Sequence, residues 1–155
     1  MTFLSNKSFA NWRKVLSVNL DGVFLTDRAC AQAMIEANKG GRIINIASAA
    51  ARLPTPGVGE YSVSKAGVWM LTRVLATELA PFNITANAIG PGFIKTPMTA
   101  GIQDMATMTP LMERVPMKRM GEPVDVANTA LFLAGEEGRY YTGSILHPDG
   151  GIVMK

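Results

Sequence analysis

Two stretches, Arg42 to Ser48 (RIINIAS) and Tyr61 to Lys65 (YSVSK), decide how this chain folds. The first is short and nearly continuous in apolar residues, the signature of a strand buried on both faces of a parallel sheet. Residues 49–60 carry Pro54, Pro56, Gly57 and Gly59, which mark a loop. Tyr61 to Ala80 then reads as a helix closed by Pro81. Strand, loop and helix make the first unit.

The pattern extends in both directions. Upstream, Phe9, Trp12, Leu16, Val23 and Met34 recur at helical spacing, which predicts a helix over 9–37 with Ser8 as its cap and Gly40-Gly41 as its stop. Downstream, Ile84 to Ile89 is a second short buried strand, ended by Gly90-Pro91-Gly92. Residues 93–121 read as irregular structure with short helical pieces, one opened by Pro110. Asp125 to Ala134 is a third helix, set between Glu122-Pro123 and Gly135. Ser144 to His147 is a last short strand, followed by Asp149-Gly150-Gly151. Helices and strands alternate, so the fold class is α/β, a doubly wound parallel sheet with right-handed crossovers. No repeat, linker or low-complexity segment divides the chain.

Composition narrows the function. The 155 residues fit one domain with a real core. Hydrophobic residues make up 48% and charged residues 17%, which suits a packed α/β interior and excludes disorder. The net charge of +3 is mild and scattered over Arg13-Lys14, Arg42 and Lys118-Arg119. No basic run or aromatic ladder offers a nucleic-acid surface, so no such partner is expected. The single cysteine, Cys30, forbids an internal disulfide and a metal cluster, and its alanine neighbours suggest a small core residue. Met1 to Phe9 has no apolar core of a signal peptide, and no run approaches the ~20 apolar residues of a membrane span. A reducing, cytoplasmic setting without membrane contact is the expectation.

The chemistry gathers at one place. Ligands of open parallel sheets collect at the carboxyl ends of the strands. Ser48 ends the first strand, Gly90-Pro91-Gly92 ends the second, and Tyr61 opens the helix between them. Tyr61 and Lys65, at i and i+4, share a helix face. An ammonium so close stabilises phenolate, the state in which a tyrosine exchanges a proton with an alcohol or carbonyl. Ser48 also suits a turn or cap. Asn19 falls on the apolar stripe between Leu16 and Val23, where a polar group needs a partner. Two roles fit it: satisfying backbone at a helix irregularity, or ordering a water chain near Lys65.

These segments together resemble the short-chain dehydrogenase/reductase family, and most of all its 3-oxoacyl carrier-protein reductases. The matching stretches are VNLDGVF (18–24), GRIINIAS (41–48), YSVSK (61–65), ITANAIGPGFIKTPM (84–98), GEPVDVA (121–127) and YTGSILHPDGG (141–151). The resemblance implies a Rossmann-like fold and hydride transfer between NAD or NADP and a small alcohol or ketone. It implies that Tyr61 is the general acid/base, that Ser48 hydrogen-bonds the substrate oxygen, and that Lys65 tunes the tyrosine and holds the nicotinamide ribose. It assigns Asn19 to the proton relay. Pro91, Gly92 and the backbone at Ile94 would flank the nicotinamide, and Thr96 would reach its carboxamide or the phosphates. Helices 9–37 and 61–80 match those with which the family builds homo-oligomers.

One part of the family pattern is missing. The Gly-rich turn that seats a pyrophosphate on a helix N-terminus does not occur in these residues. Gly57-Val58-Gly59 follows no strand and continues to Ser62, and Gly90-Pro91-Gly92 continues to Lys95, with a proline that removes a donor. The residue that would select NAD or NADP is missing with it. The chain therefore reads as the C-terminal, catalytic portion of such a domain, or else as a catalytically silent module that joins full-length relatives. Met98, Met105, Met108, Met112, Met117 and Met120 mark a segment at about 97–120 that fits either gap-filling packing or an adaptable apolar lid. His147, the only histidine, sits in a strand and reads as structural.

Overall fold

Alternate burial along the strands sets the layers. The computed structural model describes residues 3–102 and 112–154. β1 (Gly41–Ile46) buries Ile43 and Asn45, whereas Ile46 on the other face is 47% exposed. β2 (Ile84–Ile89) buries five of its six residues and is the middle strand. β3 (Ile145–Leu146) completes a three-stranded sheet in the order β1-β2-β3, with every pairing parallel. Gly41 lies opposite Ile84, and Ala88 opposite Ile145.

One face of the sheet is filled by the first helices. α1 (Phe9–Leu16) starts on the predicted cap, with Ser8 accepting from the Asn11 amide at 3.1 Å. A π-helical turn, Ser17–Asp21, separates it from α2 (Gly22–Ala37). α3 (Gly59–Leu79) packs beside them. Ala31, Ile43, Ala76, Leu79, Ile84 and Ala86 form one apolar cluster, and Ala47, Val68 and Ala88 a second. Because side chains alternate along a strand, α4 (Pro123–Ala134), which packs on β1 and β2, takes the opposite face. Its start is fixed by a reciprocal capping box between Glu122 and Asp125, with Pro123 in the first turn.

The buried stripe of α3 is unusual in being half polar. Its members, Glu60, Ser64, Val68, Thr72, Ala76 and Leu79, follow helical spacing. Each polar member meets a partner from the first helices, the arm before them or β1. Glu60 receives Lys7 Nζ at 2.7 Å and Asn11 Nδ2 at 3.0 Å. Ser64 Oγ receives Asn19 Nδ2 at 3.1 Å. Thr72 Oγ1 receives Asn45 Nδ2 at 3.1 Å, and the same amide donates to Asp27 at 2.8 Å. Burial pushes the Asp27 carboxyl up, and the Asn45 hydrogen bond offsets part of that push.

Several sequence expectations need correction. The single helix 9–37 is divided by the π turn, which a 3.6-residue periodicity cannot reveal. Gly40-Gly41 does not end it. Asn38 does, in the left-handed conformation at φ 50°, and Gly41 is already in β1. Gly40 is needed for a different reason: at φ +69°, a Cβ there would lie 2.7 Å from the Asn83 carbonyl oxygen. The strand expected over 42–48 spans 41–46, and the last strand is reduced to Ile145–Leu146. The helix expected at 61 begins two residues earlier, and α4 begins at Pro123 rather than Asp125. Cys30 is exposed, not a core residue, because α2 buries the Asp27 and Ala31 side and turns Cys30 outward. Pro110 lies outside the described residues.

Two outcomes follow from this arrangement. Among the described residues β1 pairs only with β2, leaving an apolar-rich strand edge. The chain should therefore elute from a sizing column as an associated species, and Ile46→Lys should shift it toward the 16.6 kDa monomer; a clean parental monomer contradicts this. The second concerns Asp27. A carboxyl raised by folding binds its proton more tightly folded than unfolded, so its contribution to stability falls as pH rises above the unfolded value near ~3.9. The melting temperature of Asp27→Asn relative to the parent should therefore rise between about pH 4 and pH 7; a difference independent of pH would sink this account.

Candidate active site

The carboxyl ends of the three strands are stitched together beyond their formal limits. Ala47 N donates to Ile89 O at 2.7 Å and Ala49 N to Pro91 O at 2.9 Å, joining the exits of β1 and β2. Gly90 N donates to Leu146 O at 2.7 Å and Gly92 N to Pro148 O at 3.2 Å, joining β2 to β3. Two glycines make this approach possible. A Cβ on Gly90 would come within 2.5 Å of the His147 ring, and one on Gly92 within 2.8 Å of Asp149 Cα. Gly92, expected to flank a ligand, is thus already required by packing. His147 accordingly lies just past β3 with Nδ1 2.9 Å from Gly90 O, a structural position.

Lys65 reaches back from α3 to this rim. Its Nζ donates to Ile46 O at the end of β1 at 2.9 Å, and lies 5.8 Å from the centroid of the Tyr61 ring. Tyr61 and Lys65 thus share a helix face, with the ammonium beside the ring. Burial pushes the Lys65 ammonium below the ordinary lysine range. An ammonium has three donors, and Ile46 O is its one hydrogen-bond partner among the described residues. Two hydrogens are left for a ligand.

Tyr61 is half-buried and anchored through its backbone. Its carbonyl accepts from Ser64 Oγ at 2.7 Å, and Ser64 in turn receives the Asn19 amide. Asn19 sits in the π turn, a helix irregularity, where its side-chain Nδ2 donates to Ser64 Oγ rather than to backbone. Ser48 is extended at φ −169° and its Oγ accepts from Ala50 N at 3.1 Å, capping the short turn Ala49–Ala51. That leaves the hydroxyl hydrogen of Ser48 without an acceptor among the described residues.

Ile94 is buried, and its backbone stretch pairs with Gly121: Gly121 N donates to Phe93 O at 2.9 Å and Lys95 N to Gly121 O at 3.0 Å. Thr96 N donates to Thr99 Oγ1 at 3.0 Å, while Thr99 Oγ1 donates to Ile94 O at 2.7 Å. Thr99 thus braces the 94–96 loop, and the sequence reading missed it. Thr96-Pro97-x-Thr99, a hydroxyl residue before a proline turn, was the available signal. Ser64 and Glu60 were missed as well. Glu60 was legible only as a charge beside Tyr61, since its partner Lys7 lies 53 positions away.

Among the described residues, no three His, Cys, Asp or Glu side chains are grouped to hold a metal, and no helix is long and apolar enough to cross a membrane. A cavity of about 620 Å³ lies beside Met117, Arg119, His147 and Asp149 and is lined by none of Ser48, Tyr61 or Lys65.

A family model described as enoyl-(acyl carrier protein) reductase matches residues 2–153. The chain belongs to the short-chain dehydrogenase/reductase family. Among curated short-chain dehydrogenase/reductase relatives, a 3-oxoacyl-[acyl-carrier-protein] reductase of Synechocystis sp. is 41% identical over 99% of this chain. A human (3R)-3-hydroxyacyl-CoA dehydrogenase is also 41% identical, over 98% of it. The crystal structure of a gluconate 5-dehydrogenase from Burkholderia cenocepacia J2315, in complex with NADP and tartrate, superposes with a TM-score of 0.95 at 32% identity over 99% of this chain. The chain spans 60% and 58% of the two curated relatives and 60% of the solved chain. The α/β fold with a parallel sheet is therefore that of the short-chain dehydrogenase/reductases.

The packing of Gly92 has a measurable consequence. Gly92→Ala should cost about 1–3 kcal/mol in denaturant unfolding, because its methyl group must displace Asp149 backbone rather than a flexible side chain. An unchanged midpoint would contradict this packing.

Proposed function

We propose that this chain carries the catalytic part of an NAD(P)-dependent oxidoreductase acting on a small alcohol or ketone. The observation that carries this reading is Lys65, lodged between the end of β1 and the Tyr61 ring with two hydrogens unspent. Tyr61 is the general acid/base: it gives a proton to, or takes one from, the substrate oxygen, with the Lys65 ammonium beside its ring. Ser48 donates its free hydroxyl hydrogen to the same oxygen, so two donors offset the charge that builds there. Asn19 acts through Ser64 on the backbone of Tyr61 and takes part in the proton relay toward Lys65.

The residues fit the nicotinamide end of the cofactor. Lys65 offers a ribose diol two donors, the backbone of Pro91-Gly92 and of buried Ile94 would flank the nicotinamide, and Thr96 supplies a hydroxyl. When bound, a nicotinamide would supply or accept the hydride. Among the described residues no strand leads through a Gly-rich turn into a helix N-terminus that would seat a pyrophosphate, so these residues do not choose between NAD and NADP. The segment at about 97–120 is read as a lid. Exposed Met98 and Met117 support this, as does an open cleft of about 820 Å³ between Leu53, Arg114, Pro116, Lys118, Ile152 and Met154, while Met105 and Met108 lie outside the described residues.

A second reading, a silent module that joins homo-oligomers, draws on the exposed apolar residues Phe9, Val18, Phe24 and Leu25 on the first helices and Met70 and Val74 on α3. Binding of NADH and NADPH can be followed through the fluorescence of Trp12 and Trp69. The chain alone, lacking the pyrophosphate seat, should bind weakly or not at all, and micromolar affinity would refute that expectation. In any turnover-competent form containing this chain, Tyr61→Phe should lower kcat by at least about 100-fold with an unchanged circular dichroism spectrum. Retained turnover would remove Tyr61 from its role.

A further inference from the structure

The head of α3 holds a buried carboxylate that the chemistry above leaves unused. Glu60, immediately before Tyr61, is 5% exposed. One oxygen, Oε1, takes both donors, Lys7 Nζ at 2.7 Å and Asn11 Nδ2 at 3.0 Å, while Oε2 is enclosed without a partner. Lys7 hydrogen bonding holds the carboxyl below its usual range, so it is a carboxylate at neutral pH. An enclosed carboxylate is costly, and an apolar side chain would fill such a space more cheaply. What the carboxylate adds is direction. Donors from two separate elements, the arm before α1 and the first turn of α1, converge on one atom and fix the helix head in rotation and in height.

No side-chain cap holds that turn: the N-cap residue is Val58, and the loop before it includes Gly57 at φ +86° and exposed Pro54 and Pro56. Gly59 rests on Leu4, 3.1 Å from where its Cβ would be, so the arm lies directly against the helix head. On the far side of Tyr61, the Asn19–Ser64 pair reaches the Tyr61 carbonyl. The tyrosine is thus gripped between two polar contacts, one at residue 60 and one at residue 64.

We propose that Glu60 is a positioning residue for Tyr61: Lys7 and Asn11 hold its carboxylate, the carboxylate holds the first turn of α3, and that turn aims the phenol alongside Lys65. The inference rests on the acid/base reading of Tyr61, yet it can be tested without turnover. Glu60→Gln keeps the volume and an acceptor but removes the charge. Its first readout is the NMR cross-peak between the Tyr61 ring and the Lys65 ε-methylene, which global stability does not move. The second is kcat against KM in a turnover-competent form. Thr72→Val, three turns along the same stripe, is the control for stability loss alone.

Glu60→Gln should at least halve the cross-peak and lower kcat about ten-fold, with KM within about two-fold, as expected for a small misplacement of a reacting group. Thr72→Val should change neither, although both variants lower the melting temperature. Lys7→Met, which leaves Glu60 in place, should act in the same direction, and the exchange of Lys7→Glu with Glu60→Lys should recover at least half of the lost cross-peak. An unchanged cross-peak in both Glu60→Gln and Lys7→Met overturns the proposal. Should the cross-peak fall while Tyr61→Phe keeps its turnover, the positioning stands and the acid/base reading fails instead.

Discussion

The stripe of α3 that faces the first helices and β1 is where this structure commits itself. Three of its six buried residues are polar, and an enclosed polar group left unpaired costs about 1–3 kcal/mol. Each is matched from outside the helix: Glu60 by Lys7 and Asn11, Ser64 by Asn19, Thr72 by Asn45. Apolar contacts would tolerate sliding by a fraction of a turn, but hydrogen bonds at three levels do not. The helix is therefore held in a single register against its neighbours, and the face one residue round, with Tyr61 and Lys65, is held with it.

The strand exits supply the other fixed reference. Four backbone hydrogen bonds continue the pairing past β1 and β2, and Gly90 and Gly92 allow the third chain segment to close on the second. Lys65 connects the two systems, since its ammonium belongs to the helix and its acceptor, Ile46 O, to the strand end. The strand exits owe their geometry to backbone, whereas the 94–96 loop leans on the Thr99 side chain and Tyr61 on those of Glu60, Asn19 and Ser64.

Where the sequence was legible, a local rule made it so. β2 was read to the residue because a short run rich in branched side chains is bracketed by Asn83 and Gly90. The Tyr61–Lys65 pair was readable from helical spacing alone. The π turn at Ser17–Asp21 was not, because apolar residues on either side keep an acceptable period across it. Cys30 was misplaced because its neighbours Ala29, Ala31 and Ala33 give no contrast between the faces of α2. Lys7 and Glu60, or Asp27 and Asn45, are pairings between distant positions, and no residue pattern announces them. Local chemistry could be read. Tertiary partnership could not.

The outward orientation of Cys30 has a practical side. As the sole thiol of the 155 residues, exposed on α2, it can take a maleimide dye or a nitroxide at one defined point. The same accessibility means that air oxidation can join two copies covalently, so any measure of how this chain self-associates has to be made with a reductant present.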